Sequence, residues 1–346
     1  MASGAGARHR LAFSTVTHIL SVTLALACQQ ESGNAHDTAK TTAFKVALLT
    51  PGPISDHSWN AGAYRGLEQI RDTLGATISH IQTKTPADFE DNFRQYGSQG
   101  FNLVVGHGFE YQDAAKRVAP DFPKTIYLIT SATIPTPNVA GISFGFADAS
   151  YLAGILAASM TKTNKLGAIG GSEFPPVVES FRAFEQGAHS VNPSITVVTS
   201  YIGNWDDVSA GKEQAIAQLS RGIDVIFQNA DAAGLGVFQA VRERKNAFVI
   251  GSNSNQNSVA PEITLGSVVI DLPLALLTVA KEVKAGTFKS RVFEMGEASH
   301  VVTLVVNPAL ASKIPVKARG RIDSLQAKML AGEFTIARPA DTSAKR

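Results

Sequence analysis

The stretch "KLGAIGG", residues 165–171, is where the chain begins its pattern a second time. Outward from it, short apolar runs alternate with helix-period stretches. Before it come "FKVALLT" (44–50), "ATISHIQ" (76–82), "FNLVVG" (101–106), "KTIYLIT" (124–130) and "VAGISFGF" (139–146), with helices predicted over 59–74, 88–99, 112–119 and 148–160. After it come "ITVVTSYIG" (195–203), "IDVIFQ" (223–228) and "AFVIGS" (247–252), with helices over 177–190, 208–221 and 234–245. That alternation predicts right-handed βαβ units and mostly parallel sheets. The restart at residue 165 predicts two similar α/β lobes. The rest of the chain, "TLGSVVID" (264–271), a helix over 274–285, "HVVTLVVN" (300–307) and a helix near 322–330, reads as crossings back between them. The expected limits are 44–146 with 253–290 for lobe 1, and 147–252 with 291–346 for lobe 2.

The 346 residues, 44 % of them hydrophobic, suffice for two lobes with real cores. A net charge of +2 and the absence of any Lys/Arg stripe argue against a nucleic-acid partner. At the start, Arg8 and Arg10 precede the apolar "LAFSTVTHILSVTLALA", which ends in small residues before Cys28, the single cysteine. This order reads as a secretory signal over 1–27. A cysteine directly after the cut suggests a bacterial lipoprotein with Cys28 as its lipid-modified N-terminus; the bland reading is an incidental cysteine near the cut. Residues 28–43 are polar and read as a flexible tether. One cysteine excludes an intrachain disulfide, and no later stretch approaches a membrane span.

In such sheets, ligands gather beyond the carboxyl ends of the strands. The stretches there are 56–60, 107–109, 146–148, 170–174, 205–207, 230–234 and 253–256, drawn from both halves, so the expected site is a cleft. Asp56 and Ser58 either cap the helix starting at Trp59 or bind ligand. Trp59 has polar neighbours, while Tyr64, Leu67 and Ile70 carry the helix stripe. Trp205 lies at a strand end among Gly, Asn and Asp, with Asp207 as the N-cap of the next helix. These are the only two tryptophans, one per lobe, and rings across a cleft can sandwich a flat ligand at about 1–3 kcal/mol per stacked ring. The turns "GHGF" (106–109) and "AAGLG" (232–236) complete neither G-x-G-x-x-G nor a Walker A sequence, so phosphate cradling is weakly supported. "GISFG" (141–145) matches G-x-S-x-G. Ser143, however, is expected inside the strand, and the later histidines, His189 and His300, fall in a helix and at a strand start. No metal-ligand spacing occurs, and no cofactor is expected.

With these residues in view, the chain resembles the basic membrane protein family, the PnrA-like substrate-binding lipoproteins of ABC importers. The likeness covers nearly all of residues 44–307. Its carriers are "SDHSWNAGAYRGL", "LVVGHGFEYQDA", "SYLAGILAASMTKTNKLGAIGG", "GNWDDVSAGKEQA", "GIDVIFQNADAAGLGVFQAVRE" and "VIGSNSNQNSVAP". The resemblance implies a type I periplasmic-binding-protein fold, two Rossmann-like lobes joined by three crossovers. It also implies a purine nucleoside ligand, an ABC permease partner and a monomer held in the cell envelope by lipid. It places Asp56 and Asn60 on the base, Trp59 and Trp205 against its faces, and Gly234 in a ligand loop. Ser58, His107, Gly108, Phe109 and Asp206 complete the expected contacts. Two positions depart from the family pattern. The ribose-binding Asp is Asn253 here, and the lysine after "SVV" is Ile270; a glutamate before the helix at "FADASYLAG" is also missing. The expected outcome is a ring-binding pocket with a weakened preference for ribose. A receptor of the same fold feeding a signalling partner stays open as an alternative.

Overall fold

The strand-to-helix alternation of the sequence is realised twice over in the computed structural model, which describes residues 43–133 and 135–336. In the first half the elements are β1 (Lys45–Thr50), α1 (Trp59–Leu74), β2 (Thr77–Gln82), α2 (Pro86–Ser98), β3 (Leu103–Gly106), α3 (Gln112–Val118), β4 (Ile126–Thr130), β5 (Val139–Phe144) and α4 (Phe146–Met160). The second half runs β6 (Lys165–Gly170), α5 (Pro175–His189), β7 (Thr196–Tyr201), α6 (Val208–Ser220), β8 (Val225–Asn229), α7 (Gly234–Arg242) and β9 (Phe248–Asn253). The chain closes with β10 (Thr264–Ile270), α8 (Leu272–Lys284), β11 (Val292–Met295), β12 (Val302–Val306) and α9 (Val316–Leu330).

Two sheets of six strands result, in the orders β11-β5-β4-β3-β1-β2 and β12-β10-β9-β8-β6-β7. All ladders are parallel except that between β10 and β12. The inner strands are continuous apolar runs buried on both faces, as helix-covered parallel strands must be. Each sheet reverses its winding beside its first strand, between β1 and β3 and between β6 and β8. The ends of these strands are therefore where a crevice opens.

The chain passes between the two layers three times: through α4, at the β10–α8 junction, and from β11 to β12. The lobe limits differ from the expectation here. β10 pairs with β9 and so belongs to the second sheet, because a buried apolar strand follows β9 after a short loop. The crossing comes afterwards at Asp271, whose carboxylate accepts from the Leu274 backbone N–H at 2.9 Å to start α8, and α8 lies against α1. β11, four residues too short to stand out in the sequence, pairs with β5 in the first sheet. α4 begins at Phe146, two residues before the expected start. It is apolar nearly all round, as a helix buried between neighbours is. α4 and α5 touch backbone to backbone at two glycines: a Cβ on Gly154 would sit 2.0 Å from the Phe184 carbonyl oxygen, and one on Gly187 1.9 Å from that of Tyr151.

Among the described residues no helix is long and apolar enough to cross a membrane. The expected signal segment, the tether and Cys28 lie outside the described residues.

Candidate functional site

The β1–α1 turn is organised by Asp56. Its carboxylate accepts from the backbone N–H of Ser58, Asn60 and Ala61 at 2.9, 2.8 and 2.9 Å, and from Asn60 Nδ2 at 2.9 Å. Ser58, at the N-cap position, makes no side-chain cap. Instead its hydroxyl donates to the Ser252 carbonyl (3.2 Å), and Ser254 Oγ donates to the Ser58 carbonyl (2.9 Å), tying the turn to the end of β9. This frame fixes Trp59. One face of its indole stacks on the His107 imidazole, centroids 3.9 Å apart and planes 21° apart, and Phe144 meets it edge-on at 5.9 Å. His107 is held between the Trp59 carbonyl and Thr130 Oγ1, 3.1 Å from each. Burial brings its pKa down to about 3, so the ring is neutral.

Across the cleft, β6 ends at Gly170, and the next residue, Gly171, has no side chain because Trp205 occupies that space: a Cβ would lie 2.1 Å from the indole. Trp205 tilts against Phe174 at 5.9 Å, and Phe174 against Phe109 of the first lobe at 5.8 Å. Asp207 caps α6 by accepting from the Ala210 N–H at 2.9 Å.

A polar wall completes the cleft. Asp231 and Asn253, at the ends of β8 and β9, both hold left-handed backbone, φ 49° and 64°, a conformation Asn and Asp tolerate better than most residues. Asn253 Nδ2 donates to Asn229 Oδ1 (3.2 Å) and Asp231 Oδ1 (3.1 Å). Burial, and then the negative charges of Asp56 and Glu110, hold the Asp231 carboxyl well above the usual carboxylate range, against the opposing pull of Asn253. Burial likewise pushes Glu110 up to about 7.

The cleft's cavity measures about 200 Å³. Its rings are Trp59, Phe109, Phe144, Phe146, Phe174 and Trp205; its polar edge includes Glu110, Asp231, Asn253, Asn229, Ser131 and Ser143. Of the residues expected in the site, Trp59, Gly108, Phe109, Trp205, Asn253 and Ile270 border this cavity. The others stand behind it. Asp56 is 1 % exposed and fully engaged with the turn, Asn60 is its partner, Ser58 bridges to β9, and His107 backs Trp59. Gly234 opens α7 beneath Gln228. Asp206 is half-exposed, 4.0 Å from Lys84 of the facing lobe.

Several other lining residues were not singled out. Phe146, Phe174 and Asp231 lay within the strand-end stretches but were not chosen, and Glu110 is one residue past another. Phe144 and Asn229 are the last residues of β5 and β8, which a stricter use of the strand-end rule would have found. Ser143 borders the cavity from within β5, and no histidine joins it there; His189 Nε2 is engaged with the Ile195 carbonyl at 2.9 Å.

Two doubly wound lobes, three crossings and an aromatic cleft beyond the strand ends define the type I periplasmic-binding-protein fold. The fold of a solute-binding protein of an ABC transporter system from Aeropyrum pernix superposes with a TM-score of 0.80 at 23 % identity, covering 87 % of this chain and 95 % of that one. The family described as "ABC transporter substrate-binding protein PnrA-like" matches residues 43–328, and the chain belongs to it. Basic membrane protein A2 of Borrelia garinii subsp. bavariensis is 29 % identical over 301 residues, 84 % of this chain and 88 % of that protein. The ABC transporter nucleoside-binding protein BmpA of Lactococcus lactis subsp. cremoris is 31 % identical over 251 residues, covering 69 % and 72 %. The family is one of extracytoplasmic solute-binding proteins rather than enzymes.

Proposed function

We propose that this protein captures a flat heteroaromatic solute, a purine nucleoside or nucleobase, between its lobes and hands it to an ABC permease. It does so as a monomer, anchored to the cell envelope by lipid on Cys28. The observation that carries the reading is the ring-lined cavity, with Trp59 on one lobe and Trp205 on the other. A relative named for nucleoside binding supports the ligand class.

Preference leans toward the base. Asn253 and Ile270, which stand where the family resemblance implies a ribose-binding carboxylate and a lysine, both border the cavity. The Asn253 amide N–H groups are already directed at Asn229 and Asp231, and Ile270 offers a hydroxyl nothing. A neutral amide accepts about half as strongly as a carboxylate. Asp56 and Asn60, which the resemblance places on the base, serve the turn instead, so the base edge falls to Asp231 and Glu110. Calorimetric titration of adenine against adenosine, and guanine against guanosine, tests the ranking: each base binds at least as tightly as its nucleoside. Nucleosides binding a hundredfold tighter contradict it. Intact mass of the membrane-extracted protein tests the anchor; an unmodified Cys28 contradicts it.

A further inference from the structure

Glu110 reaches the cavity from the turn after β3 and Asp231 from the turn after β8, so the two lobes each bring a carboxyl group to one space. Glu179 of α5 borders the same space, and among the described residues no Lys, Arg or His does. The charged groups that act on Asp231 are Asp56 and Glu110, both acids, and the hydrogen bond it accepts comes from the neutral Asn253. Behind Trp59, His107 is neutral and faces Thr130 and a carbonyl. Among the described residues, no positive charge therefore balances two carboxylates in this cavity. A buried carboxylate without a partner takes up a proton or recruits a cation. The rings enclosing the space point the same way, since aromatic faces carry negative potential that attracts cations.

Taking the cleft as the solute site, as proposed above, we infer that its preferred ligand is a flat cation, a protonated or quaternary nitrogen heterocycle or an amidinium, with its positive edge toward Glu110 and Asp231. In the empty cleft burial favours the protonated form of both acids; the arriving cation takes the place of the protons they hold, which pass to solvent. Binding is then accompanied by proton release and weakens as pH falls, because protons and ligand compete for the same carboxylates. A neutral heterocycle uses the same rings but leaves the acids protonated.

The test uses probe pairs of similar shape and different charge, 1-methylnicotinamide with nicotinamide and benzamidine with benzamide. Ligand-free protein, prepared by unfolding and refolding, is titrated with each by calorimetry at pH 7.5, in phosphate and in Tris. The cationic member of each pair is expected to bind at least about tenfold tighter, with a heat that differs between the buffers because protons are released. Glu110→Gln with Asp231→Asn is expected to equalise the pair, and the wild-type comparison stands even if that variant does not fold. Equal or tighter binding of the neutral members overturns the inference. Adenine titrated alongside separates the two failures. If adenine binds while the cations gain nothing, the charge preference falls and the heteroaromatic reading stands. If neither binds, both fall.

Discussion

Asp56 and Asp231 are two aspartates of the same kind in almost the same place, one in each lobe, at the turn beyond a sheet strand. They are 1 % and 3 % exposed. Asp56 receives four N–H donors, three of them backbone, whereas Asp231 receives the amide of Asn253 and faces two acids. Burial is equal and supply of donors is not. The first carboxylate builds a turn; the second is left with bonding capacity directed at an open cavity, and that unmet capacity is what makes a site.

The comparison breaks most visibly in stability. Asp56→Ala orphans three backbone N–H groups at the start of α1 and is expected to cost on the order of 4 kcal/mol, read from urea midpoints. Asp231→Asn is expected to leave stability unchanged or raise it at pH 7.5, since it removes a buried acid lacking a counter-charge. A loss below about 1 kcal/mol for Asp56→Ala would undo the contrast.

Acidity sharpens it. Glu110 ordinarily titrates near 4.5 and is pushed up to about 7 in the fold. Glu297, between β11 and β12, is pushed equally by burial, although Gln326 Nε2 donates to it at 3.4 Å. Below pH 4.5 both are protonated folded or unfolded. Above that the unfolded chain loses these protons first, so stability falls as pH rises from about 4.5 to 7 and levels beyond, by on the order of 3 kcal/mol for each group. Glu110→Gln and Glu297→Gln should each flatten the decline in ligand-free protein, read as unfolding free energy against pH. Only the Glu110 change should also alter the pH dependence of binding.

Trp59→Ala is expected to weaken heterocycle binding by about 2 kcal/mol in calorimetry, and to loosen His107 behind it. The smallest effect belongs to the rim. Lys84 and Asp206, 69 % and 50 % exposed, make a screened pair across the mouth, and Lys84→Ala should shift affinity by less than about 1 kcal/mol. A larger change would make the bridge a latch for the closed lobes.

The alternation of apolar runs and helical stretches made the two lobes legible, because a parallel sheet imposes that rhythm locally. The β10 and β11 assignments were not legible: which sheet a strand joins depends on partners far along the chain, and β11 is only four residues long. In the site, the tryptophans stood out as rare residues at strand ends. Asp56 looked like a ligand contact because sequence shows that an acid sits at a turn, not how many backbone N–H groups converge on it. Asp231 was passed over for the same reason. That its carboxyl meets one amide and two acids is a property of the assembled cleft.

The chain's two tryptophans both border the cavity, so tryptophan emission, excited selectively over tyrosine, reports on the site. Titrating ligand-free protein with adenine and guanine is predicted to quench most of the tryptophan emission in a saturable way, with Trp59→Phe and Trp205→Phe each removing a share of the response. Emission unchanged at saturating purine, in protein shown to be folded, would contradict capture of a flat heteroaromatic ring between the lobes.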